Sequence, residues 1–151
     1  MAGPPLVTGA TGFAGSHLVD HLLTSEPAVA AWANPRGAPA GHSNPKIAWT
    51  AVDLLDREAV EDAIAALQPS IVYHCAGAAD LGTSWADPVT PLKVNAVGTH
   101  HLLEAVRLAA PTAGVVVVGS AAVYRASRDA IGEESPIGPS SPYGVSKLAQ
   151  E

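Results

Sequence analysis

Leu6-Val7-Thr8-Gly9-Ala10-Thr11-Gly12-Phe13-Ala14-Gly15 is the stretch on which the fold turns. A short apolar run enters a set of glycines spaced three apart. A helical pattern leaves it, with Leu18, Leu22 and Leu23 at helical offsets in residues 14–23. Glycine can serve such a bend in three ways: it permits a tight turn, close backbone approach to a pyrophosphate, and close packing of helix on strand. The helix that follows presents free N–H groups and a partial positive charge at its N-terminus, which suits a phosphate. The alternative is a glycine-rich turn that holds nothing. The spacing is Gly-x-x-Gly-x-x-Gly rather than the usual Gly-x-Gly-x-x-Gly, so its position between strand and helix carries the argument.

Moving outward, Val29–Ala33, Ile71–His74 and Val115–Val118 read as further strands, and Ile47–Val52 as a weaker one. Arg57–Leu67 repeats Val60, Ile64 and Leu67 at helical spacing. Val94–Leu108 is a long apolar helix pattern closed by Pro111. Strands alternating with helices predict an α/β fold with an open, doubly wound parallel sheet. Val115–Val118 is unbroken apolar, as expected of a strand covered on both faces. Pro4 and Pro5 keep the first strand short, because proline cannot donate to a sheet ladder. Pro35–Pro45 predicts a mobile loop. The closing residues, Val145–Glu151, read as a helix just under way with neither cap nor stop, so the chain is expected to end inside an element.

Composition narrows the function classes. The 151 residues are 48% apolar and 15% charged, which excludes a disordered chain and suits one domain with a real core. No apolar run reaches the roughly 18 residues of a membrane span, and the amino-terminal residues lack the pattern of a signal peptide. With 8 Lys+Arg against 14 Asp+Glu the net charge is −6, which argues against nucleic acid as a partner. Cys75 is the lone cysteine, so no internal disulfide forms, and a reducing cytoplasmic location is expected.

The nucleotide's far end leaves two readings open. An acid about 20 residues past the bend usually marks NAD, and here the second strand runs instead into Asn34-Pro35-Arg36. Arg36 either pairs with a 2′-phosphate, tilting the cofactor from NAD toward NADP, or is a solvated loop arginine.

A second constellation lies in the carboxyl-terminal part. Tyr143 and Lys147 are four apart and share a helix face. An ammonium beside a phenol favours the phenolate and makes tyrosine a usable acid–base near neutrality. Ser120 follows a strand, on the sheet edge where open α/β folds bind ligands. Each also has an ordinary explanation, for instance Ser120 as a helix cap. Their conjunction with the phosphate bend is what carries weight.

Thr8–Gly15, Val52-Asp53-Leu54, His74–Ala78, Asn95–Thr99, Gly119–Tyr124 and Ser141–Lys147 occur in an order that resembles the NAD-dependent epimerase/dehydratase family, the extended short-chain dehydrogenases/reductases. The resemblance spans essentially the whole chain. It implies a Rossmann fold, a nicotinamide cofactor and a nucleotide-sugar substrate, with hydride transfer at a sugar carbon. It further implies that residues 1–151 are one NAD(P)-binding domain, truncated once the catalytic helix has begun, without the carboxyl-terminal substrate-binding region. Association or poor solubility in isolation is then expected, with a homodimer for the full-length form.

By position, the resemblance implies that Gly9, Thr11, Gly12, Phe13 and Gly15 form the pyrophosphate loop; Asn34 and Arg36, at the end of the second strand, are the candidates for the adenosine end. Asp53 and Leu54 would contact adenine, although Asp53 also reads as a cap for the helix at Arg57. Ala76, Gly77 and Ala78 would line the cofactor cleft. Ser120, Tyr143 and Lys147 take the catalytic places, Tyr143 and Lys147 also touching cofactor, and Asn95 would support the lysine. Asp80–Pro88 and Glu134–Gly144 look most like the branch handling GDP-4-keto-6-deoxymannose and GDP-mannose. Dehydratases of the family carry a carboxylate before the tyrosine at position 124, where this chain has Ala121-Ala122-Val123. That favours a reductase or epimerase over a 4,6-dehydratase. Arg125 stands where the family has glycine. A non-catalytic dinucleotide-binding module is the remaining alternative.

No metal site is expected: His17 and His21 share a helix face without further ligands. His100 and His101 read as structural, Cys75 as a small buried hydrophobe, and Trp85 either as a pocket wall or as packing.

Overall fold

The computed structural model describes residues 3–37 and 44–151. They fall into two compact units. The first runs up to Ala76 and resumes at His101–Val118, and the second comprises Gly77–His100 and Gly119–Glu151.

The first unit is built on a parallel five-stranded sheet: β1 (Leu6–Thr8), β2 (Val29–Ala33), β3 (Ile47–Ala51), β4 (Ile71–His74) and β5 (Gly114–Val117), in the order β3-β2-β1-β4-β5. This is a Rossmann-like arrangement. The chain steps outward from β1 to β3, then returns to place β4 on the other side, so the order reverses between β1 and β4. Register confirms the pairing, with Leu6 opposite both Ala30 and Val72. Pro4 and Pro5 hold β1 to its predicted length, and its side chains are fully buried. Helix α1 (Phe13–Leu22) buries Val19 and Leu22. Helix α2 (Arg57–Leu67) buries Val60 and Ile64 at the predicted spacing. Most of α5 (Thr99–Ala109) also belongs here, with Leu102, Ala105 and Val106 buried.

Two apolar clusters result. One gathers Leu6, Trp32, Val60, Ile64, Val72, Leu102 and Val106, and the other Val7, Val19, Leu22, Val29 and Ala31. Every member of both lies in the first unit.

The second unit holds α3 (Thr83–Ala86), α4 (Val89–Leu92), a π-helical turn Lys93–Gly98, a 3-10 turn Ala121–Val123 and α6 (Pro142–Gln150). Asp80 and Asp87 cap the first two helices by accepting backbone N–H groups, from Thr83 and Thr90 among others. Its buried side chains are largely polar: Ser84, Asn95, Thr99, Ser146 and Lys147.

Several expectations need correcting. Strand β5 is not covered on both faces: Val116 is 47% exposed. Among the described residues β5 is the edge of the sheet, pairing with β4 alone, and packing reaches Val115 but not Val116. An apolar run records hydropathy, not the number of neighbours. The helix read over Val94–Leu108 is helical throughout, but its first part is π-helical, over Lys93–Gly98, before α5 begins at Thr99. Within Pro35–Pro45, Pro35–Gly37 forms a 3-10 turn, and residues 38–43 lie outside the described part. Cys75 is half-buried rather than buried, and partial desolvation pushes its thiol above the ordinary value.

Candidate functional site

The glycine bend sits at the carboxyl end of β1, on the edge where the strand order reverses, as ligand sites of open α/β sheets do. Its glycines have different reasons. Gly9 adopts φ +64°, and a Cβ there would meet the Ala76 backbone at 2.6 Å, so both conformation and close approach exclude a side chain. A Cβ on Gly15 would strike the Gly9 carbonyl, which fixes how tightly α1 packs on the bend. Gly12 is different. A Cβ there would meet only the Gly9 oxygen, at 3.2 Å, and the residue is exposed. Gly12 is also the N-cap of α1 and has no side chain to occupy the first N–H groups. Thr11 and Phe13 beside it are exposed as well.

Behind the bend, the Thr8 hydroxyl accepts the Ala76 N–H at 3.2 Å and shares a 2.7 Å hydrogen bond with Nδ1 of the fully buried His74. Neither residue carries a role legible from the sequence alone. The ends of β1 and β4 are tied together there by side chains as well as by the ladder.

Asp53 does not cap α2. That cap is Asp56, whose carboxylate accepts the Ala59 N–H. One Asp53 oxygen accepts the Leu55 N–H at 3.0 Å, and the other has no partner among the described residues. Leu54 is buried, and its carbonyl bonds His101 Nδ1 at 2.9 Å, which gives His101 its structural place. Asn34 turns its side-chain oxygen onto the Arg36 N–H and shapes the Pro35–Gly37 turn. The Arg36 guanidinium is exposed and has no ion-pair partner among the described residues.

The second unit collects Ser120, Tyr143, Lys147, Asn95, Gly77 and Ala78. Helix α6 starts where Ser141 accepts the Gly144 N–H and Pro142 fills the first turn. That start puts Tyr143 half-buried and Lys147 only 6% exposed, one turn apart. Burial pushes the Lys147 ammonium below the ordinary lysine value, partly offset by the Glu151 carboxylate. The ammonium donates to Gln150 Oε1, and Gln150 donates to the Thr99 hydroxyl at 2.9 Å.

Ser120 caps the Ala121–Val123 turn by accepting the Ala122 N–H at 3.2 Å. With that lone pair used, its own O–H, which has no acceptor among the described residues, can donate to a ligand, so the cap is compatible with a catalytic role. Gly144 lets α6 close on this turn: a Cβ there would sit 2.6 Å from the Ala122 carbonyl oxygen. Asn95 accepts the Ala78 N–H at 2.8 Å and donates to the Ala78 carbonyl at 3.2 Å. It also donates to the Ser146 hydroxyl at 2.8 Å. Gly77 leaves room for it, since a Cβ would lie 2.8 Å from Asn95 Oδ1. The sequence named Gly144 and Ser146 only as motif letters; close approach and burial depend on contacts distant along the chain.

Trp85 is 64% exposed and lines an apolar groove of about 450 Å³ with Pro88, Leu92, Pro139 and Val145. His17 packs edge-on against Phe13, ring centroids 4.9 Å apart. Among the described residues no helix is long and apolar enough to cross a membrane.

The family model described as NAD dependent epimerase/dehydratase family matches residues 5–151. A UDP-glucose 4-epimerase of Mycolicibacterium smegmatis is 32% identical over 97% of this chain and 48% of its own. A GDP-6-deoxy-D-mannose reductase of Pseudomonas aeruginosa is 32% identical over 96% of this chain and 44% of its own. The crystal structure of a UDP-glucose 4-epimerase from Brucella ovis in complex with NAD superposes with a TM-score of 0.88. It is 32% identical and covers 99% of this chain and 46% of that one. The chain therefore spans about half the length of the relatives it matches.

Proposed function

The chain belongs to the NAD-dependent epimerase/dehydratase family, and on that premise we propose that it carries the cofactor and proton-transfer part of an enzyme acting on a nucleotide-sugar. The reaction is oxidation or reduction at a sugar carbinol or ketone carbon, as 4-epimerisation or 4-keto-6-deoxy-sugar reduction. The observation that carries this reading is the joint at Gly144, which seats the Ser120 turn on the helix bearing Tyr143 and Lys147.

The residues present fit a dinucleotide. Gly12 is exposed at an uncapped helix start, where a diphosphate can take N–H groups that no side chain uses. The spare Asp53 oxygen suits an adenine amino group. Bound there, NAD would supply hydride exchange at its nicotinamide ring.

The chain's own part is position and proton. Ser120 donates to the sugar oxygen and orients it. Tyr143 takes or returns that oxygen's proton as general base or acid. Lys147 holds the nicotinamide ribose and presents positive charge to the phenol. The turn after Ser120 offers Ala121, Ala122 and Val123, with no carboxylate to carry the further proton transfers of a 4,6-elimination. Epimerase and reductase therefore stand ahead of dehydratase, and the similarity to the Pseudomonas reductase keeps reduction as the second reading. The exposed Arg36 guanidinium supports NADP over NAD.

Fluorescence titration of the chain with NADH and NADPH tests the cofactor half; binding is expected, and absence of binding by either refutes it. In the protein that contains these residues, interconversion of UDP-glucose and UDP-galactose, or reduction of GDP-4-keto-6-deoxymannose, tests the substrate half. Turnover of neither overturns it. For Arg36→Ala, selective loss of NADPH affinity is expected, while equal loss for both cofactors refutes the 2′-phosphate contact.

A further inference from the structure

Ser146 is fully buried, stands between Tyr143 and Lys147 along α6, and meets Asn95 with its hydroxyl. Its hydroxyl donates to the Tyr143 carbonyl at 2.7 Å, three residues back along α6. That leaves its lone pairs to accept, and Asn95 Nδ2 donates to them at 2.8 Å. The remaining polar groups of Asn95 are taken by Ala78, whose N–H and carbonyl it bonds in opposite senses. An amide with all its hydrogens placed and 1% exposure has no latitude to turn. Gly77 adjoins it without a Cβ, at a point where one would press on Asn95 Oδ1. The π-helical turn that holds Asn95 is a local widening of the kind found at functional sites.

We propose that Ser146 is a positioning residue for Tyr143 and Lys147. Through Asn95 it locks α6 to the Gly77–Ala78 loop and sets the rotation at which the helix presents both side chains. It touches no reacting atom. A residue chosen only for helix formation would be alanine at this buried place, since a serine bonding back along its own helix slightly weakens it. The hydroxyl is accounted for by the partner it receives from across the unit. This inference rests on the reading of Tyr143 and Lys147 given above.

The test compares Ser146→Ala and Ser146→Cys with the wild type by amide hydrogen exchange and by turnover. The alanine leaves a buried Asn95 N–H without its acceptor, and the cysteine keeps the volume while offering a poor acceptor. Exchange at residues 145–148 is expected to quicken about tenfold in either variant, with α2 unchanged. In the active protein kcat is expected to fall about tenfold while KM stays within about twofold, because substrate contacts are kept and alignment is lost. A cycle with Asn95→Ala should be non-additive, the double variant resembling the worse single one. Wild-type exchange in α6 for the cysteine variant, unchanged kcat, or simple multiplication of the two effects overturns the proposal. If the wild type binds no cofactor, the functional reading falls, and the exchange comparison still decides whether Ser146 clamps the helix.

Discussion

At Gly9 and Gly12 the same residue type answers different demands, and substitution separates them. Gly9→Ala forces a side chain into a left-handed conformation costing about 1–2 kcal/mol and into contact with the Ala76 backbone. It should lower the thermal midpoint by several degrees. Gly12→Ala displaces at most one carbonyl oxygen, so its midpoint should stay close to the wild type while NADH affinity drops. Equal midpoints for the two variants would show that Gly9 has no special conformational burden. Tyr143→Phe should reduce turnover by about 10²–10⁴-fold, the usual contribution of a general acid–base, and leave NADH titration nearly unchanged. Lys147 makes a pH prediction. Its folded value lies below the ordinary 10.5 because of burial, so in the window between them the unfolded chain holds a proton that the folded chain has released. Stability from this group therefore rises with pH across that window. Urea melts at neutral and alkaline pH should show this rise in the wild type and its loss in Lys147→Met.

Elements were legible where periodicity and punctuation agree. The proline pair bounds β1, and Val60 and Ile64 mark the buried face of α2 as their spacing says. Tyr143 and Lys147 could be placed on one helix face because they stand four apart, and Ser141 and Pro142 form its start. What the sequence hid were properties of neighbours. Val116 has the same side chain as Val72, and only the sheet order reveals that one lies at an edge with 47% exposure and the other is fully buried. Val116→Thr should thus change stability by no more than about 0.5 kcal/mol, and Val72→Thr by clearly more, as chemical denaturation can check. The π-helical turn was missed since apolar spacing over Val94–Leu108 does not register an inserted residue. Gly144 was missed for a related reason: its partner, the Ala122 carbonyl, is distant along the chain. Gly144→Ala should push α6 from the Ser120 turn, costing about 1–3 kcal/mol as overpacking does, with turnover falling further than stability alone explains.

On the scale of the whole molecule, the two units are stabilised by different means. Both apolar clusters belong to the first, while the second buries Ser84, Asn95, Thr99, Ser146 and Lys147 and relies on hydrogen bonds that must all be satisfied. Hydropathy along the sequence reports on the first interior and gives no comparable signal for one built largely of polar groups. The candidate catalytic residues all reside in the second unit. Such an interior releases little oily surface when it opens. Loosening of the second unit should therefore show a small heat-capacity increment. Unlike the sheet, it should lose little of its hold on cooling, because the force that fades in cold water contributes least there.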